Sequence, residues 1–304
     1  MKPSPLVVDL VIALLCLIWG STWLVIRTGL ADLPPLHGAA LRFTVASAVF
    51  WLAAPKLSRL EGGEPPPLWM VLVFGTLNFA TSYGIVYWAE TVIPSGLASV
   101  LWAVFPMIMA VSGHLFLPGE RLVGRQWLGF AVGFLGVALL FRTDLYHLSA
   151  RAVGVGAVYL LSPLVSAVGQ TCVKRHGQGV SSVLLNRGAL TLGTCFLWIL
   201  ALSLERGAEL RFTPRSVACV IYLALVGTCV AFGLYYWVLR TTPAYKMSLI
   251  AYVTPVIALT LGWSLGEEPV GAYTLLGAGL VLGGVALVRR EGAARAALGR
   301  RIGA

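Results

Sequence analysis

Long uncharged apolar stretches recur along the whole chain and are separated by short polar segments. Each stretch is close to the ~20 residues that a helix needs to cross the ~30 Å hydrocarbon core of a bilayer. The apolar residues run continuously instead of alternating with polar ones, which favours helices over barrel strands. The pattern predicts an all-α membrane protein with ten spans, at 6–26, 34–55, 68–89, 92–116, 124–141, 152–173, 182–204, 216–239, 243–265 and 270–288.

Composition agrees with this prediction. Of the 304 residues, 58% are hydrophobic and only 11% are charged, whereas about a quarter of the residues of a soluble domain are charged. The first stretch is too long for a secretory signal and lacks a small-residue cleavage site, so we interpret it as the first span. The five cysteines lie inside predicted spans without paired spacing, so we expect no disulfide framework, no metal site and no cofactor.

The net charge of +10 is unevenly distributed along the chain. With the N-terminus in the cytosol, most of the Lys and Arg residues fall on the cytosolic side, including those of the tail 289–304. The positive-inside rule therefore predicts that both termini are cytosolic. The basic excess indicates topology and predicts no nucleic-acid partner. The short loops fit a multi-pass protein of a bacterial inner membrane, so the lipid bilayer is the expected surrounding.

The second half of the chain repeats the first. An alignment without gaps superimposes Gly84 on Gly233, Tyr87 on Tyr236, Trp88 on Trp237, Pro94 on Pro243, Ser99 on Ser248 and Pro106 on Pro255. We expect five-helix repeats at 1–145 and 146–288, followed by a basic cytosolic tail at 289–304. Because five is odd, the second repeat enters the bilayer from the other side, and the repeats are inverted. Inverted repeats are typical of secondary transporters, with the substrate site between them.

Several motifs lie in order along the chain, and the last two kinds occur once in each half. They are Trp19–Trp23, Leu41–Phe43, the pairs Ser99 with Pro106 and Ser248 with Pro255, and the dipeptides Gly119-Glu120 and Gly266-Glu267. In this order they resemble the drug/metabolite transporter superfamily, specifically its ten-helix EamA-type branch, which includes bacterial exporters of amino acids and other metabolites. The resemblance covers nearly the whole chain. It implies a central cavity lined mainly by helices 1, 3, 4, 6, 8 and 9, and transport by alternating access.

Aromatic and hydroxyl side chains predict the character of the cavity. Trp102 lies three residues after Ser99 and one turn before Pro106, too deep for the aromatic belts of the membrane interface. Aromatic walls with a few hydroxyls suit neutral, amphipathic solutes. The candidate cavity residues are Trp19, Ser21, Asn78, Tyr83, Tyr87, Ser99, Trp102, Tyr159, Ser162, Gln170, Phe232, Tyr236, Ser248 and Tyr252.

Two further patterns concern helix 6 and the prolines. Ser162, Ser166 and Gln170 recur every four residues, so they share a face that we expect to point into the bundle, towards the cavity or a neighbouring helix. Pro106 and Pro255 occupy matching mid-span positions, where a proline removes a backbone hydrogen bond and kinks the helix. We interpret both as hinges, with a static kink as the alternative.

Every Asp and Glu falls near a predicted span end or in a loop. Ion-coupled transporters often bury a carboxylate that exchanges a proton or cation, and helix 1 lacks the mid-span Glu of the small four-helix multidrug members of the superfamily. The sequence therefore predicts uncoupled facilitated diffusion. We interpret Arg42, near the start of helix 2, as snorkelling to the surface, pairing with a carboxylate at a helix end, or binding lipid headgroups.

Together these patterns predict a secondary transporter that exports small neutral metabolites, most of all amino acids including aromatic ones. Carriers of nucleosides or drugs are the nearest alternatives, and a channel or a receptor is a more distant one. An enzyme is not expected, because no nucleophile, base and metal ligands share a depth and the four histidines lie near span ends. We expect a monomer or a weak homodimer.

Overall fold

A computed structural model of the chain describes residues 5–117, 122, 124–147, 150–239, 249–266, 270–284 and 286–287. Regular structure in these residues is helical, apart from one isolated bridge between Glu64 and Val180. Ten helices fall in the described part of the chain: α1 Pro5–Gly29, α2 Pro35–Glu61, α3 Leu68–Ala89, α4 Ser95–Phe116, α5 Gly124–His147, α6 Ala150–His176, α7 Ser182–Leu204, α8 at 214–239, α9 Leu249–Leu265 and α10 Ala272–Gly284.

The helices match the predicted spans one for one. Seven of them are long and apolar enough to cross a bilayer, and α9 and α10 contribute shorter apolar stretches in the described residues. Large apolar side chains such as Leu6, Leu52 and Trp263 are 69%, 85% and 65% exposed. Water would oppose that exposure, whereas lipid favours it. The prediction of an all-α membrane protein is therefore confirmed.

The predicted end of helix 2 was too early. The sequence pattern placed it at residue 55, but α2 continues through Pro55 to Glu61. It stops where Gly62 adopts a φ of +72° and its backbone N–H donates to the Ser58 carbonyl at 2.8 Å. A left-handed glycine after the last turn is a common helix terminator. The helix therefore tolerates one missing hydrogen bond at Pro55 and ends at the glycine.

α2 and α7 pack together, and the end of α2 caps the start of α7 at the face of the bundle where α1 begins, here called the N-terminal face. The carboxylate of Glu61, the last residue of α2, accepts hydrogen bonds from Ser181 Oγ at 2.7 Å, from Ser182 Oγ and from the backbone N of Val183 at 2.9 Å. These donors begin α7. A carboxylate stabilises a helix start because it satisfies unpaired N–H groups and complements the helix dipole.

The same arrangement is repeated, with the roles exchanged, at the opposite face. Glu205, directly after α7, accepts hydrogen bonds from the backbone N of Leu36 at 2.8 Å and of His37 at 3.0 Å, both in the first turn of α2. Its Oε2 also lies 2.7 Å from His37 Nδ1. Each helix therefore ends in a glutamate that caps the start of the other, as expected for elements related by a two-fold axis in the membrane plane.

Two tryptophans repeat this reciprocity in the middle of the α2–α7 contact. Trp51 of α2 donates its indole N–H to Thr191 Oγ1 of α7 at 3.0 Å. Trp198 of α7 donates to Thr44 Oγ1 of α2 at 2.9 Å. Contacts that exchange in this way between two helices are the mark of an isologous interface. The inverted duplication inferred from the sequence is thus visible in the contacts. The repeat limits at 145 and 288 stay predictions, and the tail 289–304 lies outside the described residues.

α3 and α8, the third helices of the two repeats, each contain a π-helical segment. These segments are Gly75–Thr81 in α3 and Tyr222–Val230 in α8. In α8 the wider turn lets Thr228 Oγ1 donate to the Leu223 carbonyl five residues earlier, at 2.9 Å. π-helical turns are rare and occur frequently at functional sites. Both segments face the interior of the bundle, where the candidate site lies.

The two candidate hinge prolines are not equivalent. α4 is interrupted between Trp102 and Phe105, and Pro106 lies in the first turn of the segment that follows. A proline there loses no hydrogen bond, because first-turn N–H groups have no partner inside the helix. Pro255 instead lies inside α9, whose described residues form one helix from Leu249 to Leu265. The break in helix 4 precedes its proline, and a hinge role for either residue stays a prediction.

Glycines bring the backbones of α5 and α10 into contact. A Cβ added at Gly284 would meet the carbonyl O of Gly129 and would lie 2.5 Å from the backbone N of Gly133. A Cβ added at Gly136 would lie 2.6 Å from the backbone N of Val281. Small residues allow this close approach between helices in lipid, where van der Waals packing rather than the hydrophobic effect holds helices together.

Candidate functional site

Arg42 lies about two turns inside α2 and is only 2% exposed. Its Nε donates to Thr228 Oγ1 in the π-helical segment of α8 at 3.1 Å. The guanidinium carbon lies 5.1 Å from the ring centre of Phe43 and 5.0 Å from that of Tyr83, within cation–π range. The structure thus contradicts the interpretation that Arg42 snorkels or binds headgroups. The arginine is an interior residue.

A continuous group of aromatic side chains extends from Arg42 through the bundle. Phe43 packs edge-on against Phe79, at 5.6 Å, and Phe79 contacts Phe232 at 6.4 Å between ring centres. Phe232 in turn lies 5.8 Å from Trp19, which also contacts Tyr235 at 5.5 Å. Four helices, α1, α2, α3 and α8, contribute to this group. We call Phe43, Phe79, Tyr83, Phe232 and Trp19 the aromatic cluster.

Trp102 belongs to a second aromatic contact, at the break in α4. Its ring centre lies 6.0 Å from Trp23 of α1 and 5.9 Å from Phe105, on which it stacks. Ser99 is buried and donates to the Gly96 carbonyl of its own helix at 2.6 Å. Ser21 donates to the Ile18 carbonyl at 2.8 Å and lies 2.7 Å from the hydroxyl of Tyr222. The two serine hydroxyls are therefore engaged with protein groups in this conformation.

Of the polar stripe predicted on helix 6, two serines are buried. Ser162 donates to the carbonyl of Ser82 on α3 at 2.8 Å, and Ser166 donates to the Ser82 hydroxyl at 3.0 Å. These bonds join α6 to α3, which agrees with the packing alternative for the stripe. Gln170 is exposed, so the structure does not bring it to the interior with the two serines.

The remaining predicted cavity residues divide into two groups. Asn78, Tyr87 and Tyr159 are buried. Asn78 Nδ2 and the Tyr159 hydroxyl have no hydrogen-bond partner among the described residues, whereas the Tyr87 hydroxyl lies beside the Arg42 guanidinium. Such buried polar atoms are uncommon in native proteins and are candidates for contact with a ligand or water. Ser248 lies outside the described residues, and the side chains of Tyr236 and Tyr252 lie outside them as well.

Glu90, at the end of α3, is fully buried. The sequence pattern placed it correctly near a span end but gave no sign of its burial. Its carboxylate lies close enough to the hydroxyls of Tyr87 and Tyr159 to interact with them electrostatically. Arg27 of α1 donates to its backbone carbonyl and to that of Ile93, at 3.0 Å. A buried carboxylate is therefore present at a span end.

A cleft opens at the face opposite the N-terminal face. It is lined by the end of α1, by Gly38 of α2 and by Tyr87, Cys219 and Leu223. Tyr87 lies beside the guanidinium of Arg42. Leu223 belongs to the π-helical segment of α8 that also contains Thr228. The cleft therefore reaches the side chains that cover Arg42.

An ion pair joins the loop between α1 and α2 to the start of α8, at the face where the cleft opens. Arg215 binds both carboxylate oxygens of Asp32 at 2.8 Å, and Thr213 Oγ1 donates to the same carboxylate at 2.7 Å. The hydrogen bonds from Arg215, then from Thr213, hold the pKa of Asp32 at about 2, below its usual 3.8. The pair therefore stays ionised at neutral and mildly acidic pH.

Acidification tests this ion pair. Because the pKa of Asp32 is lowered in the folded protein, its carboxylate stabilises the fold fully above pH 3.8 and loses that effect as the pH falls through about 2. We expect the melting temperature of the wild type to exceed that of Asp32→Asn by the same margin at neutral and mildly acidic pH. The margin should shrink only below about pH 4. A margin that disappears by about pH 5 would contradict the assignment.

Fold and site together define a multi-pass membrane transporter built of two inverted repeats. The EamA-like transporter family matches the chain twice, over residues 6–142 and 154–290, and the chain belongs to this family within the drug/metabolite transporter superfamily. The resemblance stated from the sequence motifs is confirmed.

Relatives and a solved structure agree with this assignment. The uncharacterized inner membrane transporter YedA of Escherichia coli K12 is 32% identical over 90% of this chain and 88% of its own length. The probable amino-acid metabolite efflux pump of the same strain is 26% identical over 91% and 93%. The uncharacterized transporter YoaV of Bacillus subtilis is 25% identical over 88% and 92%. One crystal structure shares the fold at 20% identity, with a TM-score of 0.66 over 94% of this chain and 98% of that one.

Proposed function

We propose that the protein is a carrier that exports small neutral metabolites, foremost amino acids with apolar or aromatic side chains, by alternating access. The observation that supports this most is the aromatic cluster beside buried polar groups in the middle of the bundle. An apolar enclosure with few polar groups is typical of sites for amphipathic small molecules. The relative named as a probable amino-acid metabolite efflux pump points to the same substrate class.

Orientation and coupling complete the proposal. The distribution of Lys and Arg supports an N-terminal face in the cytosol of a bacterial inner membrane, with the cleft on the periplasmic side. We propose that transport is uncoupled, so that the solute gradient alone drives export. Glu90 is the residue at which this proposal is tested, because a buried carboxylate can carry a proton. Transport rather than catalysis is the activity that the family and its named relatives support.

An efflux assay in cells tests the substrate class. Bacteria that express the chain, and bacteria with an empty vector, are loaded with radiolabelled phenylalanine, uridine or ethidium. Faster release of phenylalanine alone is the expected result. Faster release of uridine or ethidium without any effect on phenylalanine would contradict the proposal and favour a carrier of nucleosides or drugs.

Trp102→Ala should change which amino acids are carried. Loss of an aromatic contact worth ~1 kcal/mol lowers the preference for phenylalanine over alanine about fivefold, while transport itself continues. The matched control is Trp263→Ala, because Trp263 is 65% exposed on α9. Competition by unlabelled amino acids against labelled phenylalanine measures the preference. An unchanged preference in Trp102→Ala would show that Trp102 does not contact the substrate.

A further inference from the structure

The guanidinium of Arg42 forms no salt bridge with a carboxylate of the described residues, and the nearest sign of negative charge is Glu90, which acts on the same Tyr87 hydroxyl. Arg42 Nη1 is buried and has no hydrogen-bond partner among the described residues. Burying a cation without an anion is costly, and a charged residue among membrane spans marks a functional site by default. The Phe43 and Tyr83 rings offset only part of that cost.

The surroundings hold this guanidinium in place and set a glycine beside it. Thr228, which is presented by the π-helical segment of α8, fixes Nε. Gly227 lies beside Nη2 of the guanidinium. A Cβ added at Gly227 would lie 3.6 Å from Nη2 and 3.0 Å from the Thr22 side chain. A larger residue at 227 would fill the space next to the guanidinium. Tyr87, which lies beside this guanidinium, also lines the cleft.

We propose that Arg42 binds the carboxylate of the transported solute. Arginine binds carboxylates through paired, charge-assisted hydrogen bonds, which position the anion as well as attract it. From Phe43 and Tyr83 the aromatic cluster continues to Phe79 and Phe232. A solute with a carboxylate at one end and an apolar or aromatic group at the other matches this order. The proposal rests on the proposed function and narrows its substrate class to solutes with one carboxylate. Zwitterionic amino acids belong to this class and still carry no net charge.

The test compares two probes that differ only in the charged group, 3-phenylpropionate and 3-phenylpropanamide, in direct binding to the purified full-length protein in nanodiscs. The wild type should bind the acid about tenfold or more tightly than the amide, the ratio expected for one charge-assisted contact. In Arg42→Gln the ratio should fall to about one, and in Arg42→Lys to an intermediate value. Thr228→Val, which keeps the charge and removes its anchor, should also lower the ratio.

The matched control is Arg187→Gln. Arg187 lies in the second turn of α7, much as Arg42 lies near the start of α2, and its guanidinium lies over the Trp51 ring, 4.3 Å away, at the α2–α7 contact. This variant should keep the wild-type ratio. Equal binding of acid and amide by the wild type, or no binding of the acid, would overturn the proposal. So would a wild-type ratio in a monodisperse Arg42→Gln. If that variant does not fold, unchanged ratios in both Arg42→Lys and Thr228→Val overturn it instead.

Failure of this proposal and failure of the proposed function give different results. Arg42-dependent preference for the acid without any phenylalanine efflux would reject amino acids as the substrate and retain the carboxylate site. Phenylalanine efflux with equal binding of acid and amide would reject the site and retain the function.

Discussion

Gly284→Ala is expected to prevent the protein from folding into a stable bundle. The added methyl group would overlap the Gly129 carbonyl and lie 2.5 Å from the Gly133 backbone N. Both are backbone atoms of α5, so no side chain can rotate away, and α10 must move outward as a whole. Overpacking of this kind costs about 3 kcal/mol or more, a large part of the stability of a typical domain. The yield of monodisperse protein in detergent and its melting temperature measure the effect.

The neighbouring residue provides the control. A Cβ added at Gly283 meets nothing within 4 Å, so Gly283→Ala should leave the protein as stable as the wild type, or up to ~1 kcal/mol more stable through its better helix propensity. Equal yields and melting temperatures for the two variants would show that α5 and α10 do not pack as described.

Glu205→Ala should destabilise the protein by about 3 kcal/mol, because the N–H groups of Leu36 and His37 lose their acceptor and are left half-buried. Glu61→Ala removes the equivalent cap at the other face and should have a similar effect. The two sites lie about 40 Å apart along α2, so their effects should add in the double variant. Thermal unfolding of the three variants measures both the size and the additivity.

Glu209→Ala is the matched control for these caps. Its carboxylate is 71% exposed and pairs with Arg211, which is itself 61% exposed. Water screens exposed pairs and they add little to stability, so this variant should melt close to the wild type. Glu205→Ala and Glu61→Ala variants that melt like Glu209→Ala would contradict the reciprocal capping.

Hydropathy alone was enough to predict the spans. In lipid every backbone group must be paired within its own helix, so length and apolar composition decide which segments can span. The error at the end of α2 has the same origin. Apolar composition ends near Pro55, but the helix continues as a polar extension to Gly62 because Glu61 reaches the start of α7.

The site was less predictable, because its features depend on partners distant in sequence. Glu61 and Glu205 gave no sign that each caps a helix of the other repeat. No characteristic amino-acid composition marks the π-helical turns that bring Thr228 to Arg42. Hydropathy correctly placed Arg42 near the start of helix 2 but could not show that Phe43, Tyr83 and Thr228 enclose it. The one sequence signal for this site was the arginine itself, since a cation inside a membrane span requires a partner.

Three of the eight predicted aromatic residues meet in the structure. Trp19, Tyr83 and Phe232 belong to one cluster, because α1, α3 and α8 present those faces to each other. Gln170 does not join it, although its spacing from Ser166 is correct. A four-residue spacing fixes a common face only approximately, and one further turn of α6 already brings the side chain to the surface.

Counterflow of radiolabelled phenylalanine in proteoliposomes tests the carrier mechanism most directly. Vesicles preloaded with unlabelled phenylalanine should take up the label transiently, saturably and to the same extent with or without an imposed proton gradient. Counterflow requires a site that is exposed to one side at a time, so linear, unsaturable uptake would indicate a channel instead. Accumulation driven by the proton gradient, and abolished in Glu90→Gln, would contradict uncoupled transport.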